Sequence, residues 1–362
     1  LTTLNYGIIG CGMMGREHIQ NIQLLDNTRI AAIVEPDAKM QQQAKALAPD
    51  TRFVDSIPEL LAIENIDCLV IASPNFMHVD QLKEITTIRA LPVLVEKPLG
   101  TDASQQADIA HIAQHYQAPI WVAMEYRYMP PVAELINKVP ETTGGISMLT
   151  IREHRFPFLQ KVDNWNRFNE KSGGTLVEKC CHFFDLMRLI TQSEPAKIMA
   201  SAGQAHNHID EQYGGRTSDI WDHGYVIVEF DSGIKAMLEL CMFAEGSRYQ
   251  EEISAVGPNG KIECLVPGPG RFWPVHLGPA PAPQVIISPR NPAGPQTVEI
   301  PVDPQLLAAG DHNGSTYFQH QKFQQVVLGN AKPEVTLQDG WTAAAMGMAA
   351  QESARTGKVI HL

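Results

Sequence analysis

Asn5-Tyr6-Gly7-Ile8-Ile9-Gly10-Cys11-Gly12-Met13-Met14-Gly15 decides the fold. A short apolar strand runs into a G-x-G-x-x-G turn, and Arg16 to Leu25 continue with the spacing of a helix. In that context Gly10 makes the tight turn, Gly12 lets backbone N–H groups approach a pyrophosphate, and Gly15 lets the helix pack on the strand. Met13 and Met14 lie in the same turn and are counted with the glycines as cofactor contacts. The phosphates are expected on the unpaired N–H groups of the helix start. The next strand, Arg29 to Val34, ends at Glu35, twenty residues after Gly15. A carboxylate there accepts hydrogen bonds from ribose hydroxyls and repels a 2′-phosphate. Glu35-Pro36-Asp37 offers no arginine to such a phosphate, so NAD is favoured over NADP, with Lys39 as the one residue that softens the preference.

The alternation continues. Pro58 to Ile63 reads as a short helix and Ile66 to Ala72 as a buried strand ending in Ser73-Pro74-Asn75, with His78 on a helix to about Ala90. Val93-Leu94-Val95 is a further buried strand that halts at Glu96-Lys97-Pro98. Such strand ends are where open α/β sheets bind ligands, so Ser73, Pro74, Asn75, His78, Glu96 and Lys97 are candidate cofactor contacts. Lys97 is the first candidate for chemistry, because Pro98 restricts its backbone. A helix from Ala103 to Tyr116 and a strand from Ile120 to Met124 complete a doubly wound parallel sheet, after which Arg127 is a further cofactor candidate.

Composition bounds the function. The chain has 362 residues, enough for two domains, and a formal net charge of -12. That balance argues against nucleic acid and against an anionic membrane surface, both of which reward clustered cations. No apolar run reaches membrane-spanning length, and Leu1-Thr2-Thr3 leads straight into a strand, so the cytoplasm is the expected location. The six cysteines include no C-x-x-C pair and read as free thiols; no metal site is expected.

From about Gly145 the pattern becomes that of a largely antiparallel sheet: Ile146 to Arg155, Lys197 to Ala205, Gly224 to Asp231, Ile234 to Phe243 and Gln250 to Val256 alternate. Both faces of the strand Ile234 to Phe243 are partly apolar, which suggests one face on the chain's own helices and the other on a second subunit, as a homodimer or homotetramer. Before this sheet develops, Gly173-Gly174 opens a helix on which Glu178 and His182 are four apart and Asp185 is three further along the stripe. A carboxylate one turn before a histidine orients it and raises its basicity, as a general base requires. Pro258 to Pro304 holds twelve of the 25 prolines and reads as a surface excursion around two short strands. The domain boundaries expected are 1–125 for nucleotide binding and 126–362 for substrate and oligomerisation, with a terminal helix over 337–355 packing back on the first domain.

Taken together, the Gly10 to Gly15 turn, Ser73-Pro74-Asn75 with His78, Glu96-Lys97-Pro98, the glycine-led helix to Asp185 and the terminal segment from Asp339 make the chain resemble the glucose-fructose oxidoreductase, inositol dehydrogenase and rhizopine-catabolism (Gfo/Idh/MocA) family. The resemblance implies a Rossmann domain, a C-terminal α/β domain with an open sheet used for oligomerisation, and reversible hydride transfer between NAD(P) and a sugar, cyclitol or related polyol. It also implies that Lys97 and His182 are the catalytic pair. The family's third member is usually aspartate; Glu178 stands in its place here, beside an unusual Lys179.

By its ordinary proton affinity His182 suits the base that takes the hydroxyl proton, and Lys97 the partner that polarises the oxygen, with an exchange of these roles open. Arg127, Arg155, Trp165, Asn166 and Lys179, with His182, are the substrate candidates. Two alternatives to a dehydrogenase are an NAD-dependent glycosidase that oxidises its sugar transiently and a non-catalytic NAD-sensing protein.

Overall fold

The computed structural model describes residues 3–362; Leu1 and Thr2, part of the segment read as a leaderless start, lie outside the described residues. The chain divides into two compact units. The first comprises Leu1–Glu125, described from residue 3, with Gln160–Gly173 and Thr316–Ala345. The second comprises Tyr126–Leu159, Gly174–Ser315 and Met346–Leu362.

In the first unit, β1 (Leu4–Ile9), β2 (Thr28–Val34), β3 (Arg52–Val54), β4 (Cys68–Ile71), β5 (Val93–Val95) and β6 (Ile120–Val122) form one parallel sheet of order β3-β2-β1-β4-β5-β6. This is the doubly wound order whose ligand crevice lies where the strand sequence reverses, between β1 and β4. All four residues of β4 and all three of β5 and β6 are buried, as expected for strands covered on both faces. The crossovers are α1 (Met13–Gln23), α2 (Ala38–Leu47), α3 (Ile57–Leu61), α4 (His78–Ile88) and α5 (Gln106–His115). Helix α1 begins at Met13 instead of Arg16, because the glycine turn is itself the helix start: the Arg16 N–H already bonds to the Gly12 carbonyl at 3.0 Å. Helix α2 and strand β3 are absent from the sequence reading; α2 starts on a local cap, the Asp37 side chain accepting the Met40 N–H at 2.9 Å, and β3 pairs parallel with β2.

The second unit opens with α6 (Pro130–Thr143), also absent from the sequence reading. Pro130 and Pro131 occupy its first turn, where a missing N–H costs nothing, and Val132, Leu135 and Val139 form its buried stripe. Strand β7 (Met148–His154) follows; α7 (Asn169–Ser172) belongs to the first unit, and α8 (Thr175–Glu178) and α9 (Cys181–Thr191) return to the second. Next come β8 (Pro195–Gly203), a two-strand ladder of β9 (Gln212–Tyr213) and β10 (Arg216–Thr217), β11 (His223–Phe230), β12 (Lys235–Cys241), β13 (Glu251–Gly257), β14 (Gly260–Val266), β15 (Gln284–Pro289) and β16 (Gln296–Glu299). After α10 (Pro304–Ala308), α11 (Ser315–Val327) and α12 (Leu337–Thr356), β17 (Ile360–His361) closes the chain. Helix α12 is shared, with residues to Ala345 in the first unit and those from Met346 in the second.

The large sheet has the order β16-β15-β14-β13-β7-β12-β11-β8-β17, antiparallel except for the β7–β12 pair. Alternation places Ala236, Leu238 and Leu240 of β12 in the core, while Lys235, Met237, Glu239 and Cys241 face the more open side. Two expectations need correction. The proline-rich stretch is more than a surface excursion: β14 is a full strand of the sheet, with Ile262, Cys264 and Val266 buried in alternation. Nor is the segment from Thr175 a single helix. It breaks at Lys179-Cys180, so Glu178 ends one helix and His182 sits in the first turn of the next. Among the described residues no helix is long and apolar enough to cross a membrane.

Candidate functional site

The glycine turn has the geometry of a phosphate cradle. Gly10 sits at φ +88°, where a Cβ would lie 2.7 Å from the Ser73 nitrogen, so the turn is closed to other residues. A Cβ on Gly15 would lie 2.3 Å from the Gly10 carbonyl oxygen, the close helix-on-turn approach that a third glycine allows. Over Gly12 the space is open, with nothing within 4 Å of a Cβ built there. Helix α1, eleven residues long, carries no acidic side chain in its first turn, which leaves its N-terminal dipole free to attract an anion. At the end of β2 the Glu35 carboxylate accepts the Cys11 N–H at 2.7 Å and the Asp37 N–H at 2.9 Å. Those bonds hold a negative charge beside the turn and leave lone pairs for hydroxyl donors. These residues fit a dinucleotide.

Behind the end of β5 lies a buried polar chain. Glu96 is 3% exposed and turns inward, its Oε1 2.9 Å from His18 Nε2 and its Oε2 accepting the Lys97 N–H at 3.1 Å. On its other side His18 Nδ1 is 2.8 Å from His320 Nε2. Burial works against charge on His18, but the Glu96 carboxylate outweighs it and lifts His18 above the ordinary histidine value. Against its own burial, Glu96 is held below the usual carboxylate range by His18. His320 is pushed well down, first by burial and then by His18. Glu96 thus anchors the backbone of Lys97 from inside. The Lys97–Pro98 bond is cis.

His78 is fully buried; Nδ1 lies 2.8 Å from the Pro98 carbonyl and Nε2 3.0 Å from that of Ser73, so it ties two strand ends together. Burial lowers its proton affinity. Ser73 Oγ bonds to Gln81 at 2.5 Å, and the Asn75 amide donates to the Ser172 carbonyl at 3.1 Å. Trp165 and Asn166, in a short 3-10 segment, are 6% and 0% exposed, with Lys161 4.4 Å above the Trp165 ring.

In the second unit His182, 2% exposed, stacks on Tyr126 with ring centroids 3.9 Å apart and planes 5° from parallel. The break after Glu178 sends Lys179 into the interior. Its ammonium bonds to the Tyr126 hydroxyl and lies 2.9 Å from Glu153 Oε1. Glu178 is buried too, at the end of α8. Arg127 grips Asp185 with two bonds of 2.5 Å, a bidentate geometry that holds α9 to the segment before α6. Arg155 lies 4.3 Å from the Phe156 ring centre and 3.6 Å from Glu153.

The structure therefore groups Arg127, Lys179, His182 and Arg155 around Tyr126, Glu153 and Asp185 within one unit. Tyr126, Glu153 and His18 were missed as site residues. Parity along β7 does point Glu153 inward with Leu149 and Ile151, and His18 falls one turn after Gly15; nothing local names their partners.

Comparison with known proteins identifies the family of both parts of the chain. The oxidoreductase family model for the NAD-binding Rossmann fold matches residues 4–124, and that for the C-terminal alpha/beta domain matches residues 141–362. An inositol 2-dehydrogenase of Renibacterium salmoninarum is 28% identical over 272 residues, covering 71% of this chain and 77% of that protein. The rhizopine catabolism protein MocA of Rhizobium meliloti is 25% identical over 210 residues, covering 56% of this chain and 62% of its own length. Among solved structures, an oxidoreductase from Agrobacterium radiobacter in complex with NAD+, L-tartaric acid and magnesium superposes with a TM-score of 0.80 at 17% identity, over 99% of this chain and 98% of that one. With both family models matched along nearly its whole length, the chain belongs to the Gfo/Idh/MocA oxidoreductases.

Proposed function

We propose that the protein is an NAD-dependent dehydrogenase that oxidises a hydroxyl carbon of a sugar, inositol or related polyol, with Lys97, His182 and Glu178 as its catalytic residues. The observation that carries the cofactor half is the open space over Gly12 beside a fixed carboxylate at Glu35. NAD, when bound, supplies the hydride acceptor. Glu35 selects NAD over NADP because a 2′-phosphate near this carboxylate is repelled and Arg16 is engaged with the Cys11 carbonyl at 3.1 Å. His182 takes the hydroxyl proton and Lys97 donates a hydrogen bond to the same oxygen, with Glu178 as the third member in the position where the family usually has aspartate. Arg155, Lys179, Trp165 and Asn166 contact or shape the substrate site, and Arg127 serves it by holding α9. The relatives named as inositol 2-dehydrogenase support the substrate class.

The open side of the large sheet carries Met148, Tyr225 and Ile227, 58%, 54% and 42% exposed, and supports assembly as a homodimer or homotetramer through that face. Light scattering that finds only monomer at micromolar concentration would remove this part. Function is tested by a panel of inositols, sugars and sugar acids with NAD and NADP in parallel, read by nicotinamide absorbance. The expected result is NADH accumulation with at least one polyol and a roughly hundred-fold or greater loss in Lys97→Ala and His182→Ala. Equal rates with NADP overturn the role of Glu35, and cofactor recycling without net NADH points to the glycosidase.

A further inference from the structure

Two carboxyl groups lie on the core face of the large sheet, where alternation calls for apolar side chains. Glu153 of β7 follows Leu149 and Ile151 on that face, and Glu251 of β13 precedes Ile253 and Ala255. They are directly opposite each other in the β7–β13 ladder and are 0% and 2% exposed. The ammonium of Lys179 is placed on Glu153, at 2.9 Å. Glu251 accepts one amide bond, from Gln250 at 2.7 Å, while its Oε2 finds no hydrogen-bond partner among the described residues. One amide donor does not offset the burial of a second carboxylate beside the first. From Lys179 the chain of contacts goes on to the Tyr126 hydroxyl and through its ring, 3.9 Å from the ring of His182.

We propose that Glu251 and Glu153 form a buried proton store that, through Lys179 and Tyr126, sets the proton affinity of His182. The proposal rests on reading His182 as the base; Glu153, Glu251 and Lys179 are positioning residues here and touch no reacting atom. Glu153 carries the ion pair with Lys179, and Glu251 holds the exchangeable proton. Burial and then Glu153 push Glu251 up to about 7, so that the store changes charge near neutrality.

The groups facing Glu251 are Glu153 and, beyond it, Arg155 from the β7 end, Lys179 from the break between α8 and α9, and Gln250 on its own strand. The Cys264 thiol of β14 also feels Glu251 and, being pushed above its ordinary value mainly by burial, stays protonated. His182 is faced within this unit by Tyr126, whose ring also lies 6.0 Å from that of His312 and 4.7 Å from the Lys179 ammonium. When Glu251 loses its proton above neutrality, the added negative charge stabilises the imidazolium; a charged Lys179 opposes it.

The test is an NMR titration of the histidine ring signals in the full-length protein, with the His182 signal identified as the one lost in His182→Gln. In the unmutated protein the His182 curve is expected to be broadened, with a second inflection near neutral pH. Glu251→Gln should leave the acid side of the curve in place, remove that inflection and lower the midpoint. Lys179→Met should raise the midpoint by about one pH unit, the size of one charge acting across a single ring in a medium of effective dielectric near 20. Glu251→Gln is isosteric and carries the test even where Lys179→Met fails to fold. A folded variant of either kind with an unchanged His182 curve overturns the proposal. If the substrate panel shows no NAD reduction, the base assignment falls while the titration still decides whether the store is coupled to His182.

Discussion

In each unit a charged network is buried, and the two are built on opposite plans. In the first, His18 and Glu96 balance each other, and neutral His320 closes the chain. In the second, two carboxyl groups share the interior with Lys179, with Arg155 at the rim. A balanced pair keeps both charges: His18 is lifted and Glu96 lowered, each chiefly by the other once burial has been overcome. An unbalanced carboxyl pair gives up a charge instead, and Glu251 keeps its proton to about 7. Desolvation is tolerated by pairing in one place and by neutralisation in the other, so Glu96 and Glu251 answer pH with opposite signs.

The largest expected effect comes from breaking the balanced pair. Glu96→Ala strands a buried cation and should cost about 3–5 kcal/mol in urea unfolding at neutral pH. A loss below about 1 kcal/mol would show that His18 is neutral in the folded chain.

Glu251→Gln should act in the other direction. In the unfolded chain Glu251 releases its proton near the ordinary carboxyl value of 4.5, and in the folded chain only at about 7. Its favourable contribution is therefore fully present below that lower value and is lost as pH rises through the upper one. Relative to the unmutated protein, the variant should be unchanged near pH 4 and about 3 kcal/mol more stable above pH 8, checked by urea unfolding across that range. A difference independent of pH would show that Glu251 is already ionised.

Smaller effects sharpen the contrast. Glu96 and His320 have lowered values, so their contributions are lost as pH falls, whereas Glu251 gains as it takes up its proton. Hydrogen exchange at pH 4 should open amides of β5 and α1 before those of β7 and β13. His320→Phe, which leaves the His18 Nδ1 proton without its acceptor, should cost about 1–3 kcal/mol, read as a lower melting temperature. Arg127→Lys loses the fork on Asp185 but keeps the charge; it should cost about 1 kcal/mol, with rescue by no other cation at that position.

Much of the fold was legible. The G-x-G-x-x-G turn, the buried runs of β4 and β5 and the alternation of β7, β11, β12 and β13 are short-range patterns, and each falls within a residue or two of where it was expected. Helix α6 was obscured by Pro130, Pro131 and Pro140, although Val132, Leu135 and Val139 keep helical spacing and a proline in the first turn does not interrupt a helix. Strand β14 was hidden in proline-rich surroundings despite the parity of Ile262, Cys264 and Val266. At the candidate site Lys179 stood out as a departure from the family pattern, but its direction did not, because the break between α8 and α9 is what turns it inward.

By itself the sequence determined what depends on neighbours a few residues apart: a strand, a tight turn and a helix start that suit a dinucleotide, and the parity that sends Glu153 and Glu251 to one face of a sheet. Backbone sterics and hydrophobic period act over that range. Which charges meet is set by contacts between distant parts of the chain. His18 finds Glu96 78 residues away and His320 302 away, and Lys179 finds Glu153 on a strand and Tyr126 before α6. A buried ionisable group takes its charge from such distant partners and from the water it has lost, and neither is written in its own stretch of chain.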